Sequence, residues 1–88
     1  MKEQERDFLF LHAITKARVG QFMEAGVIFH LLEDYHPQAS LGRAYCYARE
    51  HEYAQCMQVL SRLKDLEGRS YSIYQRLLRR CEKELQKE

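Results

Sequence analysis

The chain has 88 residues, a formal net charge of +1, 45% hydrophobic residues and 31% charged residues, with one proline and four glycines. This composition is typical of a single folded, helix-rich domain and excludes a disordered or collagen-like chain. The small net charge excludes a strong overall attraction to nucleic acid or acidic membranes, so any electrostatic function must be local.

The sequence does not predict a membrane segment. No apolar run approaches the roughly 20 residues that a helix needs to cross a bilayer. The first residues, MKEQERD, are charged and do not have the form of a secretory signal. We therefore expect a cytoplasmic protein without membrane insertion.

Apolar periodicity predicts five helices and no strand. In chain order the helices run from Glu3 to about Val19, from Gln21 or Phe22 to near Tyr35, from about Gln38 to Arg49, from about Glu52 to Leu66, and from Ser70 or Ser72 to about Lys87. Gly20 and Pro37 mark the first two breaks, because neither residue continues a helix well. Gly68 is expected just past the fourth helix, in the left-handed conformation that glycine adopts without strain.

The fifth helix is amphipathic. Its apolar residues recur at alternating spacings of three and four, and they are Tyr71, Tyr74, Leu78, Cys81 and Leu85. This narrow seam predicts a helix that packs on one side only. Its other faces carry the basic residues Arg76, Arg79, Arg80 and Lys83. Nucleic-acid contact is an alternative role for them, but acidic residues interrupt the run, so we interpret this face as the solvated surface of a capping helix.

One pattern occurs twice in the chain. Residues 13–32 (AITKARVGQFMEAGVIFHLL) and 44–63 (AYCYAREHEYAQCMQVLSRL) align at an offset of 31 residues. The matched pairs are Ala13 with Ala44, Ala17 with Ala48, Arg18 with Arg49, Phe22 with Tyr53, Ala25 with Cys56, Phe29 with Leu60, and Leu32 with Leu63. A period of this length is typical of helical repeat arrays. The small residues Ala13, Ala25 and Ala44 are predicted to let paired helices approach closely.

The repeat resembles the tetratricopeptide repeat (TPR). The places of that motif are filled by Gly20, Phe22, Ala25, Phe29 and Pro37 in the first copy, and by Ala44, Tyr47, Tyr53, Cys56 and Leu60 in the second. The second copy departs from the motif at His51, where a turn glycine is usual, and the period is shorter than that of the family. The resemblance implies an all-α, right-handed solenoid in one domain over 1–88: repeat one at about 6–36, repeat two at about 38–66, and a capping helix at about 70–87.

No pattern in the sequence predicts catalysis or a metal site. The four histidines, His12, His30, His36 and His51, do not pair at the spacing of a known metal motif. The three cysteines, Cys46, Cys56 and Cys81, are odd in number and lie on apolar helix faces, which favours buried free thiols. We therefore expect no enzyme activity, no metal and no cofactor.

The TPR resemblance also implies a binding groove, since the first helix of each repeat lines the concave surface in that family. The corresponding residues here are Asp7, Phe10, Ile14, Arg18, Gln38, Leu41, Tyr45 and Arg49. Members that clamp a partner's terminal carboxylate use lysine and asparagine at places that are Phe10, Ile14 and Leu41 here, which argues against such a clamp. An apolar groove rimmed by arginine suits an amphipathic helix with acidic flanks. The alternative is that the N-terminal helix or contacts between the repeats cover these residues.

In size, architecture and groove chemistry the chain is similar to the bacterial type III secretion chaperones that hold the needle subunit in the cytoplasm. That similarity implies a chaperone that masks the amphipathic helix of a self-assembling protein partner, joined by a small helical cochaperone, with no nucleic acid involved. The alternative hypothesis is a structural adaptor or scaffold subunit of a larger complex, or a homodimer formed through Tyr71, Tyr74 and the last helix.

Overall fold

The computed structural model describes residues 2–87, and within that range the protein is all-helical. The helices are α1 (Glu3–Arg18), α2 (Phe22–Leu32), α3 (Pro37–Arg49), α4 (Tyr53–Ser61) and α5 (Gly68–Gln86). Each of the five pairs with its neighbour in the chain, and α3 also contacts α5. The prediction of an all-α fold with five helices is confirmed. We call α1–α2 hairpin one and α3–α4 hairpin two.

The turns inside the two hairpins have the same backbone conformation, 31 residues apart. Gly20 and His51 both adopt a positive φ, of 86° and 62°. In each turn the next amide donates to the carbonyl five residues earlier, at 2.9 Å in hairpin one and 2.8 Å in hairpin two. This pattern satisfies carbonyl groups that would otherwise be unpaired at a helix end. His51 thus takes the left-handed conformation of the glycine it replaces, which explains how hairpin two forms the same turn without that glycine.

The core lies in two clusters that share α3. Ala39 and Cys46 pack with the buried residues of hairpin one, whereas Leu41, Ala44 and Ala48 pack with those of α4 and α5. Because neighbouring helices approach α3 from both sides, most of its buried side chains are small. The predicted small contact residues of the repeat, Ala13, Ala25 and Ala44, are all fully buried.

The fourth helix is shorter than predicted. It ends at Ser61 rather than near Leu66, and the chain then turns through Asp65, which has a φ of 59°. Leu63 still packs against the core from this connection. The apolar residues after Ser61 predicted a longer helix, but Leu63 packs against the core without being part of α4. Gly68 has the expected positive φ, but it begins α5 instead of following α4 directly.

The buried face of α5 is rotated from the predicted seam. Leu77 and Cys81 are its buried residues, and Ile73 and Leu78 pack beside them. Tyr71, by contrast, is 49% exposed. The prediction of Tyr71 as a seam residue is therefore wrong, because the face of α5 that contacts α3 and α4 is centred on Leu77 and Cys81, and Tyr71 lies to one side of it. No helix in residues 2–87 combines the length and apolar character required to span a membrane.

Candidate binding groove

A groove of about 850 Å³ lies between α1, α3 and α5. Its apolar lining is made mainly by Phe10, Ile14, Leu41, Tyr45, Ile73 and Leu77. Leu41 and Leu77 are buried at its base, whereas Tyr45 is 38% exposed. The apolar floor is thus partly covered where α5 meets α3 and open along α1 and the centre of α3.

The structure brings seven of the eight predicted groove residues to this one cavity. They are Phe10, Ile14, Arg18, Gln38, Leu41, Tyr45 and Arg49. The four from α3 share one face of that helix, and those from α1 share the face turned toward it. The TPR resemblance implies this arrangement, since the first helices of successive repeats line one surface in that family.

Asp7 is the predicted residue that does not line the groove. Its carboxylate lies 3.3 Å from Nε2 of His36, at the start of α3. The His36 ring also stacks on Phe10, with centroids 4.9 Å apart. Asp7 therefore contributes to the junction between α1 and α3 and not to the lining of the groove.

Five arginines line the groove, and none of the lining residues found between positions 2 and 87 is acidic. They come from three helices: Arg18 from α1, Arg49 from α3, and Arg69, Arg76 and Arg80 from α5. All five are exposed. None of them forms an ion pair with another part of the chain over residues 2–87. A protein with a net charge of +1 thus concentrates unpaired positive charge around one apolar surface.

Two of these arginines occupy equivalent places at the turn end of the groove. Arg18 is the last residue of α1, and Arg49 is the last residue of α3. The Arg49 guanidinium carbon lies over the Phe22 ring, 5.3 Å from its centroid, and Phe22 packs edge-on against Tyr45 at 6.1 Å. Phe22, at the start of α2, therefore helps to hold both a rim charge and a floor side chain in position.

The α5 wall of the groove is absent from the sequence prediction. Arg69, Ile73, Arg76 and Arg80 follow one another at spacings of four, three and four, so they share a face of the helix. That spacing is visible in the sequence and could have identified the face. The interpretation of Arg76 and Arg80 as part of a solvated cap is incomplete, because both are exposed but border the groove. Arg79 lies outside it.

The cysteines are buried, as predicted, and are placed for packing rather than reaction. Burial raises the pKa of Cys46 to about 11, with the nearby Glu50 carboxylate adding to the effect. Burial and a hydrogen bond with Cys81 also raise the pKa of Cys56. Such thiols stay protonated at neutral pH and are poor nucleophiles. In the part of the chain that the structure describes, no three His, Cys, Asp or Glu side chains are grouped to hold a metal ion.

A half-buried ion pair links the two hairpins behind the groove. Nη1 of Arg43 donates to Glu33 at 2.9 Å, and Nη2 donates to the Tyr47 hydroxyl at 3.1 Å. Burial by itself lowers the pKa of Arg43, but the hydrogen bonds to Glu33 and Tyr47 outweigh it, so the pKa is raised. This contact joins the end of α2 to the middle of α3 and thereby helps to set the angle between the hairpins.

Hairpin one also has a large apolar outer surface. Its exposed side chains, each between 58% and 74% accessible, are Phe8, Leu11, Met23, Val27 and Leu31. The last three recur every four residues on α2. At the positions 31 residues later, hairpin two carries Ala54, Gln58 and Arg62. The two hairpins thus share a backbone pattern but differ in the surface that they present to solvent.

Comparison of the chain with protein-family models, with curated proteins and with solved structures finds no match. The chemistry of the groove is therefore the main basis for a functional proposal.

Proposed function

We propose that this protein is a protein-binding module built as a short TPR-like solenoid, and that its groove takes the apolar face of an amphipathic helix. The observation that carries this proposal is the open apolar floor around Ile14 and Tyr45, bordered by unpaired arginines. Exposed apolar strips with a polar rim usually mark binding surfaces in soluble proteins. An amphipathic helix that buries its apolar stripe on this floor places its polar sides next to the arginines of the rim.

The TPR-like arrangement is supported by the repeated turn. A residue with a positive φ, followed by an amide that donates to the carbonyl five residues earlier, occurs at Gly20 and again 31 residues later at His51. The small residues at matched positions are buried between helices, as close packing of repeated hairpins requires. In this interpretation α5 is the capping helix that ends the array, and residues 1–88 make one domain.

The mechanism that follows from this geometry is masking. A helix that assembles with copies of itself does so through its apolar stripe, and a groove that buries the stripe keeps the partner monomeric. This is the role of type III secretion needle-subunit chaperones, which the chain is similar to in size and groove chemistry. We propose the same role here, in the cytoplasm, and a small helical cochaperone as a further partner.

The test is to purify the protein from its native cells and identify any stoichiometric partner by mass spectrometry. A small helical protein that aggregates once separated supports masking. The binding site is then tested with Ile14→Glu and Tyr45→Glu, which place a carboxylate on the groove floor. Thr15→Glu is the matched control, because Thr15 is on α1 but exposed outside the groove. Retained binding by both groove variants contradicts the proposed site.

A structural adaptor is the second candidate, and the outer surface of hairpin one is the observation that favours it. In this role the apolar face of α2 is docked permanently on a neighbouring subunit. The replacements Val27→Gln and Leu31→Arg install the residues that hairpin two has at equivalent positions. An adaptor is released from a large complex by these two changes and is unaffected by Ile14→Glu, whereas a masking chaperone that uses only the groove gives the opposite result.

A further inference from the structure

We propose that α5 is a wall of the binding site and that Arg69, Arg76 and Arg80 select helices that carry carboxylates along one edge of the apolar stripe. This inference rests on the proposed function, since it names the chemistry of the helix that occupies the groove. It assigns a helix-binding role to α5, whose basic face the sequence pattern favours as the solvated surface of a cap.

The first step of the argument is the position of the arginines. All three lie on the face of α5 that also sends Ile73 and Leu77 to the groove floor. A ligand that contacts this floor is therefore flanked by α5 guanidinium groups. At about 1.5 Å per residue, Arg69 to Arg80 spans about 16 Å, or about three turns of a parallel or antiparallel helix.

The second step is the absence of internal ion pairs, although a hydrogen bond to the Tyr53 hydroxyl raises the pKa of Arg80. Elsewhere in the described chain, basic residues pair with acids: Lys16 lies 2.6 Å from Glu24, and Arg43 lies 2.9 Å from Glu33. The α5 arginines have no such ion pair within residues 2–87. Since the opposite rim carries Arg18 and no acid, nothing in the groove offsets their charge.

The third step concerns the class of ligand. The floor combines four aliphatic side chains, Ile14, Leu41, Ile73 and Leu77, with the rings of Phe10 and Tyr45. Bases of single-stranded nucleic acid stack on aromatic side chains, but in this groove the Phe10 ring already stacks on His36, and the Tyr45 ring packs edge-on against Phe22. Aliphatic side chains of a helix match this floor better, and carboxylates beside them match the arginines by charge.

The probes are two synthetic helical peptides of about 14 residues with the same leucine stripe. One carries glutamate along one edge of the stripe, and the other carries glutamine at those positions. Binding to the full chain is measured by fluorescence anisotropy at low and high salt. We expect the glutamate peptide to bind about tenfold more tightly at low salt. This difference should largely vanish near 1 M salt, where charges are screened within about 3 Å.

The variants separate a local effect from the overall charge. Arg69→Glu with Arg76→Glu reverses two charges in the groove, and Arg79→Glu with Lys83→Glu reverses two charges on α5 outside it. The groove variant is expected to lose the preference for glutamate, while the control variant keeps it. Far-UV circular dichroism checks that both variants remain helical.

Each other result overturns the inference in a distinct way. If both peptides bind the unchanged protein equally well, the groove takes helices without charge selection, and only the proposed function stands. If the control variant loses the preference as fully as the groove variant, overall charge and not α5 is responsible. If single-stranded oligothymidylate displaces the glutamate peptide and binds more tightly, the arginines serve nucleic acid. If neither peptide binds, the proposed function fails as well.

Discussion

Replacing Gly42 with alanine tests how closely hairpin one approaches α3. A Cβ atom at Gly42 would lie 2.7 Å from both Cε1 and Cζ of the Phe29 ring. Phe29 is only 4% exposed and packs edge-on against Phe10, with centroids 5.8 Å apart. The ring therefore cannot move away without displacing a second aromatic side chain or the helix backbone.

Two opposing effects determine the size of the change. Overpacking a core by one methyl group costs about 1–3 kcal/mol. Alanine is favoured over glycine inside a helix by about 1 kcal/mol. We therefore expect Gly42→Ala to lower the free energy of unfolding by about 1 kcal/mol. For a domain of this size, that change lowers Tm by roughly 4–8 °C.

Gly26→Ala is the matched control, since Gly26 is also inside a helix. A Cβ there would meet the Cβ of Cys46 at 3.7 Å, an ordinary contact. This variant should raise the free energy of unfolding by most of the helix-propensity difference between alanine and glycine, up to about 1 kcal/mol. Urea denaturation followed by circular dichroism measures both free energies of unfolding.

A second variant identifies the ring as the cause. In a Phe29→Leu background the clash is relieved, so Gly42→Ala should become neutral or stabilising, with a coupling of about 1–3 kcal/mol between the two sites. If Gly42→Ala stabilises the unchanged protein as much as Gly26→Ala does, the close approach of α2 and α3 is refuted.

Three further predictions concern single sites. Gly20→Ala should destabilise the protein by about 1–2 kcal/mol, because the left-handed conformation is costly for residues with a Cβ, whereas His51→Gly should be neutral or stabilising in the same urea assay. Arg43→Met should cost about 1–2 kcal/mol through the lost hydrogen bonds to Glu33 and Tyr47, and an unchanged unfolding midpoint would contradict the inter-hairpin role of the Arg43–Glu33 pair. For Cys46 the unfolded thiol loses its proton near its ordinary pKa of 9.0, but the folded thiol keeps it until about 11. The folded state then binds more protons between these values, so stability should fall as pH rises from about 9 to about 11. The fall should be shallower in Cys46→Ala, and an identical pH profile in both proteins would show that the thiol titrates alike in the folded and unfolded states.

The repeat in the sequence was enough to predict most of the helical framework. An offset of 31 residues places Arg18 and Arg49 at the ends of equivalent helices, and the structure shows both at one end of the groove. Phe10, Ile14 and Tyr45 were likewise predicted on the groove side. The TPR resemblance implied which helices line the groove, and helix periodicity together with turn position determined which of their side chains share a face.

Other features depend on how distant segments meet. Leu63 reaches the core without being helical, so its apolar spacing predicted too long a fourth helix. Asp7 has the spacing of a groove residue but lies against His36 instead. In both cases the sequence pattern is compatible with two placements, and a contact with a residue elsewhere in the chain selects one of them.

The role of α5 is the largest difference between pattern and structure. The spacing of its arginines fits a solvated cap as well as it fits a wall of the groove. Periodicity shows which residues share a face of a helix, but not what that face contacts. Only the packing of Leu77 and Cys81 against hairpin two rotates Arg69, Arg76 and Arg80 toward the groove. The helices and their repeat are thus encoded locally, whereas the charge of the groove arises from the docking of a helix that lies outside the repeat, and docking is set by long-range contacts that no local pattern contains.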